Sequence, residues 1–209
     1  MRMDDVERDL KIIRQAIEAS SRYTNITARG YFFSGIVAVI GTWKTYTFLG
    51  PEKTVNMGLI TSDDLKILTI IWTLVLLVSL AIAIFFSWWK ARKNRMSAWN
   101  SLTARMFLSQ IPLIAMAGML TLGMAFKGYY NVIPAIWLGA YGVIFYSFSY
   151  FTGIGHKIEG LLFIILGTIA LFASGPVSIL CLGLGFGGIH IASALVRWAA
   201  RWKGQHESE

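Results

Sequence analysis

His190 closes the stretch Gly183-Leu-Gly-Phe-Gly-Gly-Ile-His190, which sits inside a long apolar run near the C-terminus. An imidazole there has several uses: it can carry a proton, ligate a metal or haem iron, line a ligand pocket, or hydrogen-bond a neighbouring helix. Polar groups in hydrocarbon are costly, so each one needs a partner or a role. His190 stands seven residues before Arg197, about 10 Å along a helix. Gly183, Gly187, His190 and Ala194 follow spacing 4, 3, 4 and should share one helical face. Gly183 and Gly187 form a small-xxx-small pair that lets another backbone approach. The favoured reading is a neutral histidine bonded to a neighbouring helix. Metal or haem ligation, a proton relay and a ligand pocket are the functional alternatives.

Other candidates are weaker. His156, read as part of a loop on the side of the N-terminus, is the one plausible second ligand. Two histidines without cysteine or carboxylate at fixed spacing make a poor metal signal. His206 falls in a polar tail and should be solvated. Gly183-x-Gly185-x-x-Gly188 matches the dinucleotide fingerprint in letters alone, because no strand precedes it and no βαβ context surrounds it. Gly139, Gly142, Tyr146, Ser149 or Tyr150, and Gly153 form a second small and polar seam. Tyr146 and Tyr150 could line a pocket there, although plain helix contact explains the glycines equally well. Glu159 sits beside His156 and Lys157 and suits a helix N-terminus. Lys44 should snorkel toward the membrane surface. The sequence contains no Ser-His-Asp set, HExxH motif or intramembrane carboxylate pair. It therefore assigns no catalytic residue, cofactor or metal, and it argues against a hydrolase and against a proton-coupled carrier built on buried acids.

The elements that must hold these residues follow from composition. The chain has 209 residues, 56% hydrophobic and only 14% charged, against about a quarter charged in soluble domains. Its apolar residues fall in six runs, about Tyr31–Leu49, Ile67–Trp89, Met106–Phe126, Val132–Thr152, Ile158–Ser174 and Val177–Val196. Each approaches the ~20 residues that cross roughly 30 Å of hydrocarbon. Pro112 and Pro134 fall in or near first helical turns, where proline is tolerated. The fold class expected is an all-α bundle of six transmembrane helices. An amphipathic helix over Asp4–Tyr23 precedes it, with Val6, Leu10, Ile13 and Ile17 at helical spacing. The domain division is 1–29 for that segment, 30–197 for the membrane domain and 198–209 for the tail. Met1–Glu18 is charged and lacks the apolar core of a signal peptide. Cys181, the single cysteine, reads as a small core residue.

Charge placement gives the orientation. Of the 19 lysines and arginines, only Lys44, Lys53, Lys66 and Lys127 fall on the side opposite the N-terminus. The positive-inside rule then places both termini in the cytoplasm. Trp88, Trp89, Trp99, Trp198 and Trp202 cluster at the same interface, as amphipathic rings do. The net charge of +8 is thereby a topology signal rather than a sign of nucleic-acid binding.

Several short pieces together resemble a family of small bacterial polytopic membrane proteins of uncharacterised function. They are Ile12-Ile-Arg-Gln, Ser20-Ser-Arg22, Lys90-Ala-Arg-Lys93, Tyr141-Gly142, Thr152-Gly153 and Gly185-Phe-Gly-Gly-Ile-His190. The resemblance implies six helices in a bacterial cytoplasmic membrane. Members encoded beside soluble winged-helix regulators would suit a regulatory role.

The expected function is thus regulatory, sensing or scaffolding, exerted through cytoplasmic basic and amphipathic segments. The expected partners are the lipid bilayer, anionic lipid head groups, a cytoplasmic protein and further copies of the chain. Alternatives are a small oligomeric transporter or channel, and a haem- or metal-binding redox protein using His190 and His156.

Overall fold

The computed structural model describes residues 27–93, 101–152 and 154–206, and no strand occurs among them. The helices are α1 (Ala28–Val55), α2 (Ser62–Lys93), α3 (Ser101–Leu108), α4 (Ile111–Phe126), α5 (Ile133–Thr152), α6 (Ile154–Phe172), α7 (Gly175–Leu182) and α8 (His190–His206). A π-helical segment, Gly183–Ile189, joins α7 to α8. Six stretches of these elements are long and apolar enough to cross a membrane. The expected amphipathic helix over Asp4–Tyr23 lies outside the described residues, as do residues 94–100 with Trp99.

The ends of the spans differ from the sequence reading for local reasons. The second helix begins at Ser62, not Ile67, because Thr61 and Asp64 form a reciprocal capping box. Thr61 N–H donates to Asp64 Oδ2 at 2.8 Å, and Asp64 N–H donates to Thr61 Oγ1 at 3.2 Å. Asp64 also pairs with Lys53 at 2.6 Å, fixing the end of α1 to the start of α2. The expected long loop after Leu49 is largely helical. Gly50 breaks α1 with φ 67, a left-handed angle suited to glycine, and helix resumes from Pro51. The third span is interrupted at Ser109-Gln110, because Pro112 enters the first turn of α4 and cannot continue the hydrogen bonds of α3. The fifth starts at Ile154, so that His156 is in a helix, not a loop. The segment expected as a tail beyond 197 continues α8 as far as His206.

The α7–π–α8 span forms the middle of the bundle. It packs against α1 on one side and against α5 and α6 on the other. The outermost helices are α2 against α1 and α4 against α5. In α2 only Asp64 and Ala91 are buried, and in α4 only Ala117. Such apolar exposure suits contact with lipid rather than water.

Glycines set the closest approach. A Cβ added at Gly160 of α6 would stand 2.6 Å from Tyr146 N and 2.7 Å from Gly142 O of α5. One added at Gly142 would stand 2.8 Å from Gly160 O. These contacts are with backbone and have no rotamer to relieve them. Gly160→Ala should therefore destabilise the protein by about 1–3 kcal/mol, read as a lower thermal midpoint in detergent. A Cβ at Gly139 meets nothing within 4 Å, so Gly139→Ala should leave the midpoint unchanged or slightly higher.

Candidate functional site

The expected α-helical face through Gly183, Gly187 and His190 is rewound by the π segment, whose wider turns form i→i+5 bonds. The outcome for the glycines is a double seam. A Cβ at Gly183 would meet Thr42 of α1 at 2.8 Å, and one at Gly187 would meet Val39 of α1 at 2.5 Å. The intervening Gly185 faces Leu138 of α5 and Phe163 of α6. Bare backbone on both sides thus lets α1 and the α5–α6 hairpin close on this span, and His190 begins α8 just below the seam.

His190 is buried and has a partner that the sequence did not show: its Nε2 lies 3.1 Å from the Tyr141 hydroxyl of α5. Around the pair stand Phe145, Phe163 and Phe186, with ring centroids 4.7, 4.9 and 4.9 Å from that of Tyr141. Tyr31 of α1 packs against His190 at 5.1 Å. The Tyr31 hydroxyl donates to Glu159 Oε2 of α6 at 3.2 Å. The other oxygen of Glu159 accepts from Arg197 Nη2 of α8 at 2.7 Å. Arg197 also lies 4.3 Å over the Tyr31 ring. One carboxylate therefore ties three helices together.

His156 sits one turn before Glu159 and is 4% exposed. Its Nδ1 is 2.8 Å from Thr152 Oγ1. That hydroxyl already donates its proton to Phe148 O at 2.9 Å, so His156 Nδ1–H must be the donor. Its Nε2 is then a buried lone pair without a partner among the described residues, and His190 Nδ1 likewise has none. Buried unpaired nitrogens are uncommon in folded proteins and mark a water, a ligand or a functional strain.

The sequence candidates therefore separate. His190 and His156 share one cluster, with Tyr31 and Phe145 packed against both. Tyr146 and Tyr150 do not reach it. Tyr150 is 77% exposed, and half-buried Tyr146 lies under Lys157 Nζ at 5.6 Å. Their seam is spent on packing α5 against α6, so it offers no pocket wall to His190. The face of α5 that turns inward is Leu138, Tyr141, Phe145 and Phe148. Its 3, 4, 3 spacing was visible in the sequence and carried Tyr141. Glu159, expected as a helix-terminal acid, is buried and ion-paired. Among the described residues no three potential metal ligands converge. A separate open cavity of about 240 Å³, lined by Val55, Met57, Gly58, Gly128, Asn131, Ala173, Ser174 and Gly175, lies at the other end of the bundle.

No family model, curated protein or solved structure matches the chain.

Two substitutions test this arrangement. Glu159→Gln should destabilise by on the order of 3 kcal/mol, because it leaves a largely enclosed guanidinium unpaired. Adding Arg197→Met should recover much of that loss, whereas simple additivity in the double-mutant cycle would contradict the pairing. Tyr141→Phe should cost about 1–3 kcal/mol by stranding His190 Nε2, while Tyr150→Phe should cost nothing measurable.

Proposed function

We propose that the chain is a multi-pass protein of a bacterial cytoplasmic membrane, with both termini inside, serving a regulatory, sensing or scaffolding role. One observation carries this reading: Glu159 joins Tyr31 and Arg197. Tyr31 follows directly on the N-terminal segment, Glu159 follows the connection between α5 and α6, and Arg197 precedes the last turns of α8. The helices that lead to three cytoplasmic segments are thus fixed to one another at a single buried carboxylate. Any event that breaks or remakes that link changes how those segments are presented to a soluble partner. The charge split supports the orientation, and the resemblance to bacterial polytopic proteins supports the membrane.

The test is isolation of the full chain in mild detergent. A regulatory scaffold should retain one soluble cytoplasmic protein at near-equal stoichiometry, and deletion of residues 1–26 should release it. Absence of such a partner from the full chain would remove the main support for this reading.

A second reading, a small proton or solute carrier, is favoured by the unpartnered His156 Nε2 and His190 Nδ1 beside a buried carboxylate. In that case His190→Phe would abolish flux into liposomes containing the purified protein, with the thermal midpoint retained. Wild-type liposomes no leakier than empty ones would exclude it.

A further inference from the structure

The α1–α2 pair carries cations toward both ends; Lys44 lies over its neighbour Trp43 at 5.3 Å, and the cations nearer the helix ends are held in two ways. At the end away from the N-terminus, Lys53 and Lys66 meet Asp64 and Asp63 at 2.6 and 2.8 Å. At the other end, Arg29 lies over the Trp89 ring at 5.3 Å and Arg92 over the Trp88 ring at 5.4 Å. Neither arginine has a carboxylate partner among the described residues. The two helices meet there through Phe33 and Phe86, stacked at 5.7 Å with 2° between the rings. Gly30 of α1 lies against Ala83 and Phe86 of α2.

A guanidinium over an indole engages it without a conventional hydrogen bond, so its N–H edges remain available. Those edges match a phosphate bidentately. The half-exposed tryptophans mark the level of the interface, where amphipathic rings settle beside lipid head groups. The exposed apolar surface of α2 below them, including Ile84 and Phe85, offers a wall for acyl chains. We propose that Arg29 and Arg92, held on Trp89 and Trp88, form a binding site for the phosphate of an anionic phospholipid at the inner end of the α1–α2 pair.

The test is native mass spectrometry of the full chain in detergent, with phosphatidylglycerol and phosphatidylcholine of identical acyl chains at equal concentration. Wild type should retain phosphatidylglycerol in preference. Arg29→Gln/Arg92→Gln should reduce that preference by on the order of tenfold, from two lost head-group contacts. Lys66→Gln removes one positive charge from the opposite end and should leave the preference unchanged. Equal retention of the two lipids by wild type would overturn the site, independently of how the variants fold. So would an equal loss of preference in Lys66→Gln, which would make the effect one of bulk charge. Inorganic phosphate that displaces phosphatidylglycerol at millimolar concentration would likewise overturn it, because the occupant would then be a free anion.

Discussion

The structure depends on one carboxylate. Glu159 accepts from Tyr31 with one oxygen and from Arg197 with the other, and these contacts cross from α6 to α1 and α8. Two charges taken from water cost several kcal/mol apiece unless their geometry repays it. Here Arg197 gains a second contact on the Tyr31 ring, and Glu159 has both oxygens engaged. The network is therefore closed where it carries charge. Among the described residues its open ends are His156 Nε2 and His190 Nδ1.

That closure requires close helices. The glycines of the π segment let α1 and the α5–α6 hairpin approach from opposite sides, and Gly142 with Gly160 brings α5 onto α6. Without a hydrophobic driving force between helices in lipid, such backbone contact and the buried polar links hold the bundle together. Unequal packing follows from this. The span carrying the glycines is central, while α2, held on one side by Gly30 and Gly41 of α1, and α4, whose Gly118 and Gly123 meet nothing, remain at the periphery with most of their apolar side chains exposed.

Much of this was legible in the sequence, but not evenly. The six apolar runs announced six helices, because hydrocarbon thickness fixes their length. Gly183, Gly187 and His190 were recognisable as an interior seam, because glycine and histidine are out of place on a lipid face. The partner of His190 was not legible. The apolar spacing of Leu138, Tyr141, Phe145 and Phe148 set Tyr141 on one face of α5, but the glycines beside Tyr146 drew attention to the other face until the packing of α5 on α6 showed which was already used. The Glu159–Arg197 pair was hidden for a similar reason: 38 residues separate the partners, and each alone reads as an ordinary helix-end charge. The capping box at Thr61 and Asp64 was visible, yet following apolar residues alone placed that helix start too late. The π winding had no signal beyond a run of glycines, which is equally compatible with an α-helix.

The central claim is that the buried carboxylate fixes the ends of α6 and α8 that carry Glu159 and Arg197 relative to each other. It is tested most directly by pulsed electron–electron resonance between spin labels introduced by Lys157→Cys and Ala200→Cys, both at exposed positions, in a Cys181→Ser background. The account predicts one narrow distance distribution in the otherwise native chain, and a broad or shifted one when Glu159→Gln is added. Equally narrow distributions at the same distance in both proteins would contradict it.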